Sequence, residues 1–150
     1  MWFEEFQVGD KYKSSVGRTV TEFDNIWFTL LTNNVNQIHF NKHFVSNLEE
    51  PFRGRLVVNG ILTLAIGVGL TTEFTTEKGG FMLGLEEVRF IRPVFPGDTL
   101  YAEAEVVEKR ESRSRPSHGI VKLKTRVYNQ KGEEVLSFVR VVMVPKMIRD

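Results

Sequence analysis

Leu56-Val57-Val58-Asn59-Gly60-Ile61-Leu62-Thr63-Leu64-Ala65-Ile66-Gly67-Val68-Gly69-Leu70-Thr71-Thr72 runs from Arg55 to Glu73 without a charge. Its apolar residues do not form one stripe but occur all round the helical wheel, and a helix of that kind has to be enclosed on most sides. The stretch sits at the short end of the roughly 17–25 residues that span a bilayer. It also contains Asn59, Thr63 and three glycines. It therefore reads as a core helix over about 57–72, not as a membrane span.

The chain beyond this helix is strand-like. Residues 81–94 read as one strand, and Phe95-Pro96-Gly97-Asp98 puts Pro and Gly where a type II turn wants them. Leu100, Ala102, Ala104 and Val106 alternate with Tyr101, Glu103 and Glu105; Val121, Leu123, Thr125 and Val127 alternate with Lys122, Lys124 and Arg126. A last strand runs from about Glu134 to Val144, entered through Asn129-Gln130-Lys131-Gly132. Alternation of period two implies one packed face and one wet face. Upstream, Thr21-Glu22-Phe23-Asp24 offers a hydroxyl cap with an acid three residues on. Phe23, Trp27, Leu30 and Leu31 then recur at helical spacing as far as Asn33-Asn34, and residues 40–56 read as irregular. The simplest way to bury the apolar helix is to wrap an antiparallel sheet around it, which predicts a single α+β domain over 1–150 of the kind called a hotdog.

Composition narrows the chemistry. The 150 residues carry 20 Lys+Arg against 19 Asp+Glu and no cysteine. That excludes a disulfide framework, a thiolate nucleophile, a Cys-ligated zinc site and an iron–sulfur cluster. A near-neutral total argues against a nucleic-acid partner. The charge is unevenly spread, however: Lys109, Arg110, Arg113, Arg115, Lys122, Lys124 and Arg126 face only Glu111 between residues 109 and 126. Such a field can attract a phosphate-bearing small molecule, although a solvated strand face and hairpin tip explain it equally simply. Met1-Trp2-Phe3-Glu4-Glu5 is acidic and no apolar targeting region comes after it, so the expected location is cytoplasmic, with no membrane partner.

Standard catalytic motifs are absent. Gly67-Val68-Gly69 lies inside the apolar helix rather than after a strand, and no phosphate-cradling loop or nucleophile elbow occurs. His39 and His43 are spaced i, i+4, but without the Glu of HExxH or a third ligand no metal is expected. His39 stands in a polar run next to an apolar element, where ligand sites concentrate. Gly60 falls in the first turn of the long helix, where free N–H groups and the helix dipole favour an enolate or thioester oxygen. Relief of a close helix–sheet contact is the structural alternative for this glycine.

Several segments, in this order and spacing, resemble the MaoC-like (R)-specific enoyl-CoA hydratases of the hotdog superfamily. They are Phe3-Glu4-Glu5-Phe6-Gln7-Val8-Gly9-Asp10, Gly17-Arg18-Thr19-Val20-Thr21-Glu22, Asn36-Gln37-Ile38-His39, Phe52-Arg53-Gly54-Arg55-Leu56-Val57-Val58-Asn59-Gly60, and Arg92-Pro93-Val94-Phe95-Pro96-Gly97-Asp98-Thr99-Leu100. Asn129-Gln130-Lys131-Gly132-Glu133 completes the set. The resemblance implies addition of water to the 2,3 double bond of an acyl-CoA, or the reverse dehydration. Coenzyme A would be part of the substrate and there would be no separate cofactor. It also implies that His39 is the catalytic histidine and Gly60 the oxyanion-hole glycine.

Three positions depart from the family pattern: Asn34 stands for the dyad Asp, Gln37 for a Pro, and Asn59 for the His before the glycine. A carboxamide orients water but accepts no proton, so His39 must serve as the sole base and acid. The run Gly17 to Asn25 with Asn34 resembles most the branch acting on mesaconyl-, itaconyl- and β-methylmalyl-CoA. A substrate of that type needs a cation, for which Arg53 and Arg55 are candidates alongside Asn59 and Gly60 in the substrate site. Arg92, Arg113 and Arg115 are candidates for the coenzyme A phosphates. A non-catalytic acyl-CoA-binding hotdog protein and an acyl-CoA thioesterase are the alternatives. A lone hotdog exposes a sheet edge, so a homodimer or larger homo-oligomer is expected.

Overall fold

The computed structural model describes residues 1–148. Six strands form one antiparallel sheet among the described residues: β1 (Lys11–Lys13), β2 (Arg18–Thr19), β3 (Phe81–Phe90), β4 (Thr99–Glu111), β5 (His118–Tyr128) and β6 (Glu134–Pro145). Their order is β1-β4-β5-β6-β3, with β2 also on β4. The helices are α1 (Glu22–Leu31), α2 (Lys42–Val45) and α3 (Gly60–Leu70). The apolar stretch thus forms α3, shorter than the sequence suggests because Asn59 caps it, its Oδ1 accepting the N–H of Ile61.

The alternating residues do what their period requires. Leu100, Ala102, Ala104 and Val106 on β4 and Val121, Leu123 and Val127 on β5 are buried against α3 and the N-terminal segment. One core cluster packs Leu62, Leu64 and Ile66 of α3 on Leu100, Val127, Leu136 and Phe138. The other is closed by Phe3 and Phe6, lying over Val121 and Leu123. Gly67 lets helix and sheet approach, for a Cβ there would stand 2.7 Å from Val127 Cγ2. At the far end of α3 a buried guanidinium, Arg140, donates to the hydroxyls of Thr71 (2.9 Å) and Thr75 (2.7 Å). A cation is favoured beside the carbonyl end of a helix.

On the outer face the basic run is neutralised by register. Arg126 lies opposite Glu103, Lys124 opposite Glu105 and Lys122 opposite Glu108. Lys122 Nζ is 3.2 Å from Glu86 and 3.8 Å from Glu108. These pairs leave much less positive field than the sequence run suggests.

Two surfaces depart from a simple inside-outside pattern. The capping box of α1 is present, Thr21 and Asp24 exchanging backbone hydrogen bonds. Yet the residues it buries are Asn25 and Thr29, while Phe23 is 72% and Trp27 60% exposed, their rings stacked at 6.2 Å. The second surface is α3 itself, which is not enclosed all round. Ile61, Ala65 and Gly69, one face of the helix, are exposed, and neighbouring β3 is a sheet edge with no fully buried residue.

Candidate active site

The site is assembled by the polar pair that α1 turns inward. Asn25 Nδ2 donates to the carbonyl oxygens of His39 and Val57, both at 2.9 Å, and Asn25 Oδ1 accepts the N–H of Asn59 at 2.8 Å. One carboxamide thereby ties the His39 turn, the approach to α3 and the α3 cap. Thr29 supports it, its Oγ1 accepting from Asn59 Nδ2. Val57 N–H donates to Ile38 O and Val58 N–H to Val94 O, fastening the same segment on both sides.

His39 is buried in a single 3₁₀ turn, Gln37–His39, capped by Asn36. Its Nδ1 lies 2.7 Å from Val57 O. A carbonyl only accepts, so Nδ1 carries a proton, and the tautomer that serves as a base has its lone pair on Nε2. His43, one turn on in sequence, belongs to the separate helix α2.

The pocket in front of His39 has a volume of about 300 Å³. Its wall includes Gly60, Thr63, Phe90, Arg92 and Val135. Gly60 is the first residue of α3, and its N–H has no acceptor among the described residues. A Cβ at Gly60 would stand 2.9 Å from the Phe90 ring, so glycine serves both the close contact and access to the N–H. A largely apolar wall that also carries Thr63 and Arg92, with one base and one free N–H, suits a conjugated carbonyl substrate. A larger open cleft of about 850 Å³, beside Phe3, Lys109 and Lys146, contains no such pair. Its lysines are engaged, Lys109 with Phe6 O and Lys146 with Glu111.

Of the residues singled out from sequence, His39, Gly60 and Arg92 share this pocket. Asn34 does not line it: its Oδ1 accepts Asn36 N–H at 2.9 Å, leaving only its amide N–H groups uncommitted. Asn59 turns its side chain to the helix cap and Thr29, not to the pocket. Arg53 pairs with Glu50 on the surface, and Arg55 stacks on Phe95 at 3.7 Å beside a different groove. Arg113 and Arg115 occupy the β4–β5 turn, where Arg115 lies over Phe81. That turn adjoins Pro145, whereas the pocket adjoins Val135, a separation of roughly 33 Å along β6 at about 3.3 Å per residue. One chain therefore does not bring Arg113 or Arg115 to His39. Sequence reasoning missed Asn25 and Thr63. Their signals were available, since Asn25 and Thr29 form an i, i+4 polar pair and Thr63 is the single polar side chain within α3.

A single helix lying in a curved antiparallel sheet, with a histidine and a helix N-terminus meeting at its mouth, defines a hotdog domain with a candidate acyl site. A MaoC like domain matches residues 5–129, and the chain belongs to that family. Mesaconyl-CoA hydratase of Cereibacter sphaeroides is 32% identical over 97% of this chain but only 41% of its own length. The chain thus spans about two fifths of that relative. (R)-specific enoyl-CoA hydratase of Aeromonas caviae is 31% identical over 79% of this chain and 81% of its own. A Mycobacterium tuberculosis protein with a double hotdog fold superposes with a TM-score of 0.84 at 21% identity, covering 98% of this chain and 44% of that one.

Proposed function

We propose that this chain is a hydro-lyase that adds water across the 2,3 double bond of an enoyl-CoA or removes it from the 3-hydroxyacyl-CoA. The observation that carries the reading is the His39 imidazole, its Nδ1–H committed to Val57 O, in the wall of the same pocket as the unpaired Gly60 N–H. The similar hydratases support the same reaction class. In this mechanism the thioester oxygen accepts from Gly60 N–H, aided by the α3 dipole. His39 Nε2 takes a proton from water as the water oxygen bonds to C3. The π electrons pass to C2 and the thioester oxygen, and the imidazolium returns its proton to C2. Asn34 lies outside the pocket wall with its oxygen committed to Asn36, and a carboxamide accepts no proton from water, so the acid–base work falls to His39.

The acyl group in this reading is a branched or C4–C5 dicarboxylic one. Its countercharge is Arg92, the cation in the pocket wall, in place of Arg53 and Arg55; Arg92 is half-exposed and 3.8 Å from Glu133, with which a substrate carboxylate would compete. The working unit is a homodimer or larger homo-oligomer, because β3 leaves its edge unpaired and α3 leaves one apolar face open.

Crotonyl-CoA and mesaconyl-CoA, followed by enoyl absorbance together with free thiol, test the reading. Loss of absorbance without thiol is the expected result. Thiol release would indicate a thioesterase, and binding with neither change a non-catalytic acyl-CoA binder. Asn34→Asp should raise the rate on crotonyl-CoA if residue 34 stands in the dyad position.

A further inference from the structure

Asn25 is wholly buried on α1, a helix that leaves Phe23 and Trp27 in solvent. Its side chain is engaged by backbone on both sides: Nδ2 donates to His39 O and Val57 O, and Oδ1 accepts from Asn59 N–H. Each of these groups belongs to a working part of the pocket. His39 O is the carbonyl of the base itself, and Val57 O accepts the Nδ1–H of its ring. Asn59 N–H directly precedes Gly60, the donor to the thioester oxygen in the proposed reaction. Thr29, one turn along α1, holds the same cap by accepting from Asn59 Nδ2 at 3.3 Å. An apolar residue at position 25 would fill the space without the penalty of burying an amide, but it would not join the three segments.

We propose that Asn25 is a positioning residue: its amide fixes where the His39 imidazole and the Gly60 N–H stand relative to each other. It does not line the pocket, so it acts through those two groups and not on the substrate. The inference rests on the hydro-lyase reading of the pocket. In that reaction the base and the oxyanion donor act on one conjugated system, and a misplacement of about 1 Å between such groups costs on the order of 10²-fold in rate. Binding of the acyl-CoA is spread over the whole ligand and depends little on that alignment. Asn25 therefore governs kcat and leaves KM nearly untouched, whereas a residue that only stabilises the fold changes the amount of folded protein and not its turnover.

The test compares the native chain with Asn25→Ala, Thr29→Val and a control, Thr75→Val, which weakens the Arg140 network at the far end of α3. Two quantities are read: kcat and KM on mesaconyl-CoA per folded molecule, and the downfield proton resonance of His39 Nδ1–H, assigned by its loss in His39→Ala. Asn25→Ala should lower kcat about 10²-fold and Thr29→Val about tenfold, with KM within about twofold of native. The resonance should move in Asn25→Ala, while Thr75→Val keeps both the native kcat and the native resonance. If Asn25→Ala does not fold, Thr29→Val carries both readouts. Native kcat per folded molecule in the Asn25 and Thr29 variants, a loss that appears in KM alone, or an equal loss of kcat in Thr75→Val overturns the assignment. If the native chain hydrates neither mesaconyl-CoA nor crotonyl-CoA, the hydro-lyase reading falls and the resonance decides alone: displaced, it upholds Asn25 as the residue that places the histidine; unmoved, it removes that role.

Discussion

The His39 imidazole donates its Nδ1–H to Val57 O, a carbonyl that also accepts from Asn25 Nδ2. This shared acceptor fixes both the tautomer and the place of the base at the mouth of α3. Among the described residues that line the pocket, none besides His39 is able to take a proton from water. His39→Ala should therefore lower hydration by at least the 10²–10⁴-fold typical of a lost acid–base group. The initial rate on mesaconyl-CoA measures this, and an unchanged rate would remove His39 from the mechanism.

Asn25 holds three backbone segments through one side chain. Asn25→Ala should cost on the order of 2–4 kcal/mol, since it orphans buried groups that water cannot reach. Asn25→Asp should cost more at neutral pH, because a carboxylate would face two carbonyl oxygens. Those carbonyls and burial would raise its folded pKa above the unfolded value, so the penalty should shrink as the pH falls and the carboxyl becomes a donor. Urea unfolding of both variants at pH 7 and pH 5 decides the order.

Asp24 closes the α1 capping box and pairs with Arg18 at 3.0 Å. Burial pulls its pKa up, but the hydrogen bonds from Thr21 and Arg18 outweigh this and hold the carboxyl below the usual range. Its contribution is thus present above the unfolded carboxyl pKa of about 3.9 and is lost as pH falls through the lower folded value. Asp24→Asn should destabilise the domain at pH 6 and converge with the native chain only once the pH has fallen below the lowered folded pKa of Asp24. Thermal melts across this range would show parallel curves if the carboxylate were idle.

Ala65 lies at the centre of the open face of α3, between Ile61 and Gly69. Ala65→Glu adds a charge that a single chain tolerates in water but an apolar interface does not. Analytical ultracentrifugation should find the native chain assembled and the variant monomeric, with unchanged helix content. A variant of native mass would place the contact between copies elsewhere.

Much of the fold was legible in the chain. The alternating residues of β4 and β5 show their buried face by inspection, because a pleated strand admits only two faces. The box Thr21-Glu22-Phe23-Asp24 marks the start of α1 because its chemistry is local. His39 and Gly60 were found through segments whose order and spacing resemble a family. The orientation of α1 was not legible, since an apolar stripe says which residues want burial and not which partner covers them. Arg113 and Arg115 misled for a related reason: nearness in sequence to other cations is not nearness to the pocket, once roughly 33 Å of strand intervene.

The sequence by itself therefore determined the elements and the uncharged core helix, because propensity and period act over a few neighbours, while the expected chemistry came from its resemblance to a family. Only the tertiary structure decided that Asn25 faces inward while Trp27 faces out. It likewise decided that the His39 ring is locked by a carbonyl 18 residues away and that Arg92, not Arg53 or Arg55, enters the pocket wall. Those outcomes depend on hydrogen bonds between segments distant in the chain. Buried polar groups must find such partners, and only the closed fold shows where they lie.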